Sequence, residues 1–187
     1  MTVANYSSRY TTFLKTLCLL ILAAMTGCVH SVVGRCVVGR EVVITSSDTT
    51  APTVVLDFHL PNGQIVSASL NSAPSTVTVP GGGKVTLIAN ASDDQGAKDV
   101  QLWIGTKTCS VNAGTTTCSG PGLLGAPTAN NGDTLTAGQT GCTERLVSHN
   151  LEVRNTPSGS LSHEVEVRGL NFSGTEVRIP LIRLVAQ

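Results

Sequence analysis

A chain of 187 residues with 12 basic and 12 acidic side chains has room for one ordinary domain and a targeting segment, and it has no charge excess with which to hold several phosphates. Charged residues make up 13% and aromatic residues 3% of the chain. Gly, Thr, Ser and Val are abundant, and because β-branched side chains suit pleated strands and Gly suits turns, strands are expected in preference to helices. Apolar residues at 41% suffice for a core, which excludes wholesale disorder, and no basic run interleaved with aromatics points to nucleic acid.

The N-terminus has the layout of a secretory signal. Arg9 and Lys15 flank the apolar run "LCLLILAA" (Leu17 to Ala24), and the small residues Thr26 and Gly27 follow. Counted from Phe13 the run is interrupted by Lys15 and is shorter than the ~20 residues a bilayer span takes. It ends in "AMTGC", which resembles the lipobox of bacterial lipoproteins. That resemblance implies cleavage between Gly27 and Cys28, lipid on Cys28, and a mature chain held to a membrane by several acyl chains. Val29 stands where an Asp would imply retention at an inner membrane, so in a cell with two membranes the outer one is implied. Without residues 1–27 the chain carries 10 basic and 12 acidic side chains, a net charge of −2.

If Cys18 leaves with the signal and Cys28 carries lipid, Cys36, Cys109, Cys118 and Cys142 remain. Four cysteines in an exported chain imply two disulfides, with three connectivities available. "CSVNAGTTTC" has a turn-like Asn-Ala-Gly centre, which favours Cys109–Cys118 and leaves Cys36 to Cys142 by elimination. A zinc site is the rival, although no C-x-x-C or H-x-x-x-H spacing supports it. Around Cys36 the tetrapeptide VVGR occurs twice, as extended β-prone chain with no further account from sequence.

Beyond Glu41, short strands follow one another with a turn about every ten residues. They are "EVVITS", "TVVLDFHL", "QIVSASL", "STVTV", "KVTLIANASD", "DVQLWIG", "RLVSHNLEVRN", "SLSHEVEVRGL" and "TEVRIPLIRLVAQ". "PNG" (Pro61 to Gly63) and "PGGG" (from Pro80) are turns, and Pro180 marks an edge position or a bulge, because it cannot donate to a ladder. This is an all-β chain of seven to nine strands, expected as a two-sheet antiparallel sandwich. "DTTAPTVVL" (Asp48 to Leu56) and "VTLIANASDDQGAKDVQLWIG" (Val85 to Gly105) resemble the Ig-like and cadherin-like domains of exported bacterial proteins. The expected organisation is a signal over 1–27, a tether over 28–48, and an Ig-like β-sandwich over 49–187. The Gly-rich stretch from Gly120 to Gly141 is read as a mobile connection, with a functional loop as the alternative.

Catalytic motifs do not emerge. "HEVEV" (His163 to Val167) opens like a zinc-protease motif, but Val167 occupies the second histidine's place and the segment is a strand. His149 lies on an alternating face, where a packed neutral ring is the usual role. Asp93, Asp94 and Asp99 flank one turn and could contribute to a calcium site of the kind cadherin-like domains form between modules, or simply cap that turn. Trp103 alternates with the apolar Leu102 and Ile104, so it points outward and could contact a partner. A single Trp among few aromatics disfavours carbohydrate binding. The expectation is therefore a non-enzymatic envelope lipoprotein without a cofactor, anchored through Cys28, whose module binds a partner or is structural. Alternatives are an accessory subunit of an envelope assembly, docking through Trp103 or the edge near Pro180, and a small exported hydrolase with a site at the 120–141 loop.

Overall fold

The computed structural model describes residue 36 and residues 39–187, apart from 113–114, 121, 124 and 157–158. The expected signal, the lipobox with Cys28, His30, the first VVGR and the centre of the Cys109–Cys118 turn lie outside the described residues. Among the described residues there are twelve strands and no helix. They are β1 (Glu41–Val43), β2 (Thr53–His59), β3 (Ile65–Ser69), β4 (Thr76–Val79), β5 (Gly83–Ser92), β6 (Ala97–Asn112), β7 (Thr115–Ser119), β8 (Ala129–Gly132), β9 (Thr140–Cys142), β10 (Glu144–Thr156), β11 (Gly159–Asn171) and β12 (Glu176–Ala186). The nine segments with a period-two pattern correspond to β1 to β6 and β10 to β12. Alternation explains them, because successive side chains in a strand point to opposite faces. Val54, Leu56 and Phe58 of β2, Val85, Leu87, Ala89 and Ala91 of β5, and Val100 and Leu102 of β6 are buried, while residues between them are not.

Strands β3, β2, β5 and β10 form an antiparallel run, which β10 continues through β11 and β12, and β12 pairs in parallel with β4. β10 pairs with β5 from Glu144 to Val153 and then with β11 from Arg154 to Thr156. β11 pairs along nearly its whole length with β6, which carries β7 and β8 on its other edge. The result is one ten-stranded sheet folded back on itself, nearly closed and barrel-like, around a core that includes Phe58, Leu87, Leu102, Val165, Ile182 and Leu184. The class is all-β as expected. The separation into two distinct sheets is not clear, because β10 and β11, at 13 residues each, are long enough to belong to one layer at one end and the other layer at their joined tip. Pro180 stands exposed at a bulge, where Val165 pairs with Ile182 but Val167 with Ile179.

Two segments take their places through contacts that composition does not announce. Residues 39–48, at the end of the expected tether, pair with the body. Gly39 has φ +102°, and a Cβ there would stand 2.5 Å from Thr143 Oγ1. Arg40 N donates to Thr143 Oγ1 (2.9 Å), and Thr143 N donates to Arg40 O (2.9 Å). β1 then pairs with β9, Ile44 and Asp48 are buried, and Cys36 is bridged to Cys142. The Gly of the second VVGR thus has a local cause: only a residue without a side chain fits this approach at positive φ.

The 120–141 stretch is fastened to the body at several points. β8 pairs with β6, Thr128 N donates to Leu102 O (2.8 Å), and Asn131 Nδ2 donates to Leu146 O (2.9 Å). Arg145, which is 2% exposed, donates to Ala97 O and to Asp133 Oδ2, both at 3.1 Å. Gly105 admits the segment, since a Cβ there would lie 2.6 Å from the carbonyl carbon of Gly122. The polar strand "ANNG" carries no apolar alternation, which is why periodicity passes over it.

Both disulfides assigned from sequence are present, Cys36–Cys142 and Cys109–Cys118. In the chain-entropy treatment the first, spanning 106 residues, stabilises by about 4.7 kcal/mol and the second, spanning 9, by about 2.5 kcal/mol. Replacing both Cys36 and Cys142 by Ser should therefore lower unfolding free energy in urea by about 4 kcal/mol, clearly more than the Cys109, Cys118 double replacement; equal losses would contradict this. Gly105→Val should cost about 1–3 kcal/mol and open the 120–128 segment to protease, whereas an unchanged midpoint would mean that the segment does not bear on β6.

Candidate functional site

The loop before β2, the turn after β5 and the end of β11 converge on one cluster of polar side chains, beside a cleft. Asp48 and Asp93 are each 7% exposed and Asp94 is open to solvent, with one carboxylate oxygen of each within 4.8 Å of the others. The flanking cleft of roughly 390 Å³ is lined by Arg40, Thr50, Thr53, Ser92, Asp93, Asp94, Thr143 and Glu144. Local chemistry places these groups. Asp48 Oδ1 accepts from Thr50 N (2.8 Å) and Thr50 Oγ1 (2.7 Å), and Asp93 Oδ1 accepts from Gln95 N (2.9 Å); both are side chains closing their own turns. Asn171, fully buried, ties the two together. Its Nδ2 donates to Asp48 Oδ2 (2.8 Å) and Thr50 O (2.7 Å) and lies 3.5 Å from Asp93 Oδ2, while its Oδ1 accepts from Ser173 Oγ (2.7 Å) and Thr175 N (2.8 Å).

The two buried carboxylates titrate in opposite directions. Burial pushes Asp48 up, but the hydrogen bonds from Thr50, Asp93 and Asn171 outweigh it, and the net position is below the ordinary value. Asp93 is pushed up, by burial first and by the charges of Asp48 and Asp94, with only partial relief from the Gln95 N–H and Asn171. Three carboxylates could face a cation, but calcium takes six or more oxygens, and those of Asp48 already serve Thr50 and Asn171. The observed bonding is that of a lock between three segments.

Sequence reasoning placed Asp93 and Asp94 here and missed Asp48 and Asn171, which are distant in the chain. Asp99 is elsewhere. It sits on β6 with Oδ2 accepting from Gln101 Nε2 (2.6 Å), packed against Gly132 of β8. A zinc site built on Cys36, Cys109, Cys118 and Cys142 is overturned, because all four are bridged. His163 is 4% exposed. Its Nε2 lies 3.0 Å from Glu152 O, a pure acceptor, so Nε2 carries the proton and Nδ1 accepts from Thr106 Oγ1 at 3.1 Å. Partial burial holds the His149 imidazole below its ordinary pKa. Among the described residues no carboxylate forms an ion pair with either ring.

Trp103 faces outward and is half-buried. The Arg168 guanidinium lies 4.0 Å from its ring centroid and donates from Nε to Glu166 Oε1 (2.5 Å), while Trp103 Nε1 donates to Gln101 Oε1 (3.2 Å). The indole is thus part of a cross-strand stack on the β6–β11 face. Compared with known proteins, the chain matches no family model and no curated protein.

The raised Asp93 favours the folded state only while protonated. Its contribution is present below the unfolded value near 3.8 and is lost as pH rises through the folded one. Asp93→Asn keeps an acceptor for Gln95 N and removes the charge. It should raise Tm at pH 7, with the gap closing as pH falls through the carboxylate range; a lower Tm at pH 7 would mean that the Asp93 charge is favourable where it sits, against the direction argued. Calcium that raises the Tm of the parent chain but not of the variant would instead identify a cation site.

Proposed function

We propose that this chain is an exported lipoprotein of the cell envelope, anchored through lipid on Cys28 after removal of residues 1–27, with a β body that acts as a binding or structural module without catalysis. The observation that carries the reading is the pairing of the cysteines. The four that would remain beyond Cys28 are joined two by two, Cys36 to Cys142 and Cys109 to Cys118. Disulfides persist in oxidising compartments, and complete pairing leaves the lipobox cysteine as the one with a different task. The body is proposed to be a variant of the Ig-like sandwich of exported bacterial proteins, since the resembling residues form β2, β5 and β6. Val29 favours the outer membrane where there are two.

On this reading the bridge at Cys36 sets the geometry of attachment. Eight residues separate it from Cys28 and reach at most about 29 Å, so the body sits next to the bilayer and not on a stalk. The accessory-subunit reading draws on Leu181, 42% exposed beside Pro180 at the bulge of β12. The hydrolase reading finds little support in His163, whose two nitrogens are occupied by Thr106 and a backbone carbonyl.

The test is metabolic labelling with a tagged fatty acid in a bacterial host. Label should enter the protein and be lost in Cys28→Ala, with the protein moving from the membrane to the soluble fraction. Label retained in that variant, or absent from the parent chain, removes the anchor.

A further inference from the structure

The two disulfides occupy different surroundings. Cys36–Cys142 joins segments 106 residues apart; Cys142, at the end of β9 opposite Glu41, is 1% exposed, and Cys36 is half-buried. Cys109–Cys118 joins directly opposed residues of β6 and β7, and β7 pairs with β6 alone. The two sulfurs of this second bridge also differ, because Cys118 is exposed whereas Cys109 is 6% exposed. Ser162 Oγ lies 3.4 Å from Cys109 Sγ and 3.5 Å from Lys107 O. A bridged sulfur has no proton, so any hydrogen bond between serine and cysteine is donated by the hydroxyl.

We propose that Cys109–Cys118 is a site of thiol–disulfide exchange, attacked at the exposed Cys118 by small thiols or by the dithiol of a redox protein, while Cys36–Cys142, with one half-buried and one buried cysteine, exchanges far more slowly. The incoming thiolate forms a bond to Cys118 Sγ as the S–S bond breaks, and the electron pair leaves on Cys109 Sγ. The Ser162 hydroxyl turns from Lys107 O to that thiolate, which then takes a proton from water. With a monothiol the product is a mixed disulfide on Cys118 and a free thiol on Cys109. With a dithiol, its second sulfur displaces Cys118, so the reductant becomes a disulfide and two electrons remain in the two cysteine thiols. The body survives this opening, because β6 is held by β11 from Ala97 to Cys109 irrespective of the bridge.

The experiment uses the full chain with both bridges formed, exposed at neutral pH to glutathione, alkylated at intervals and mapped by mass. A glutathione adduct on Cys118 and an alkyl group on Cys109 are expected, appearing at least about tenfold faster than any opening of Cys36–Cys142. Ser162→Ala, which leaves the strands intact, should slow that exchange several-fold without moving the adduct. Four outcomes overturn the proposal: both bridges opening together, Cys36–Cys142 opening first, the adduct on Cys109, or no exchange in the folded protein. An unchanged rate in Ser162→Ala removes the role of the serine.

Discussion

The architecture rests on the ladder of β11. It bonds to β6 on one edge, to β12 on the other, and at its tip to β10, so three strands take their register from it. Its alternation sends Val165 and Val167 into the core and Glu164, Glu166 and Arg168 outward, where they pair with Lys107 and cover Trp103. A one-residue slip of β11 would exchange those two sets of side chains. The core and the outward charged rows are therefore specified together, and the Asn171 lock lies at the end of the same strand.

A second node is the short stretch from Cys142 to Arg145, where consecutive residues each fasten a different segment. Cys142 holds Cys36, Thr143 holds Arg40 and accepts from Asp93 N, Glu144 begins the pairing with β5, and Arg145 holds Asp133 and Ala97. A buried guanidinium is tolerable only where its donors meet acceptors, and the pairing with Asp133 supplies a charge as well as an oxygen. The chain leading into the body, the Gly-rich segment and the acidic turn are thus positioned by adjacent residues of one strand start.

What could be read from sequence divides along physical lines. Period-two burial has a local signature, and all nine strands found by it exist, together with the bulge at Pro180 and both disulfide pairings. Strands β7, β8 and β9 form because a neighbour offers an edge, and "ANNG" or "TGC" contains nothing that announces it. The closing of the sheet through β10 and β11 likewise depends on where two long strands bend, which alternation does not encode. At the acidic cleft, Asp93 and Asp94 were visible as a turn. Asp48 and Asn171 arrive there only through pairing across the fold, and Asp99, five residues from Asp94, is carried off along β6.

The spacing of the cysteines also orders events during synthesis. A chain made from its N-terminus presents Cys36 early, but its partner follows 106 residues later. Cys109 and Cys118 appear in between, only 9 residues apart and joined by a hairpin that brings them face to face. Closing that local loop first takes both incorrect partners out of reach just before the correct one arrives. Chain order and loop length thus favour the native pairing over the two alternatives, in addition to the stability that each bridge gives the finished fold.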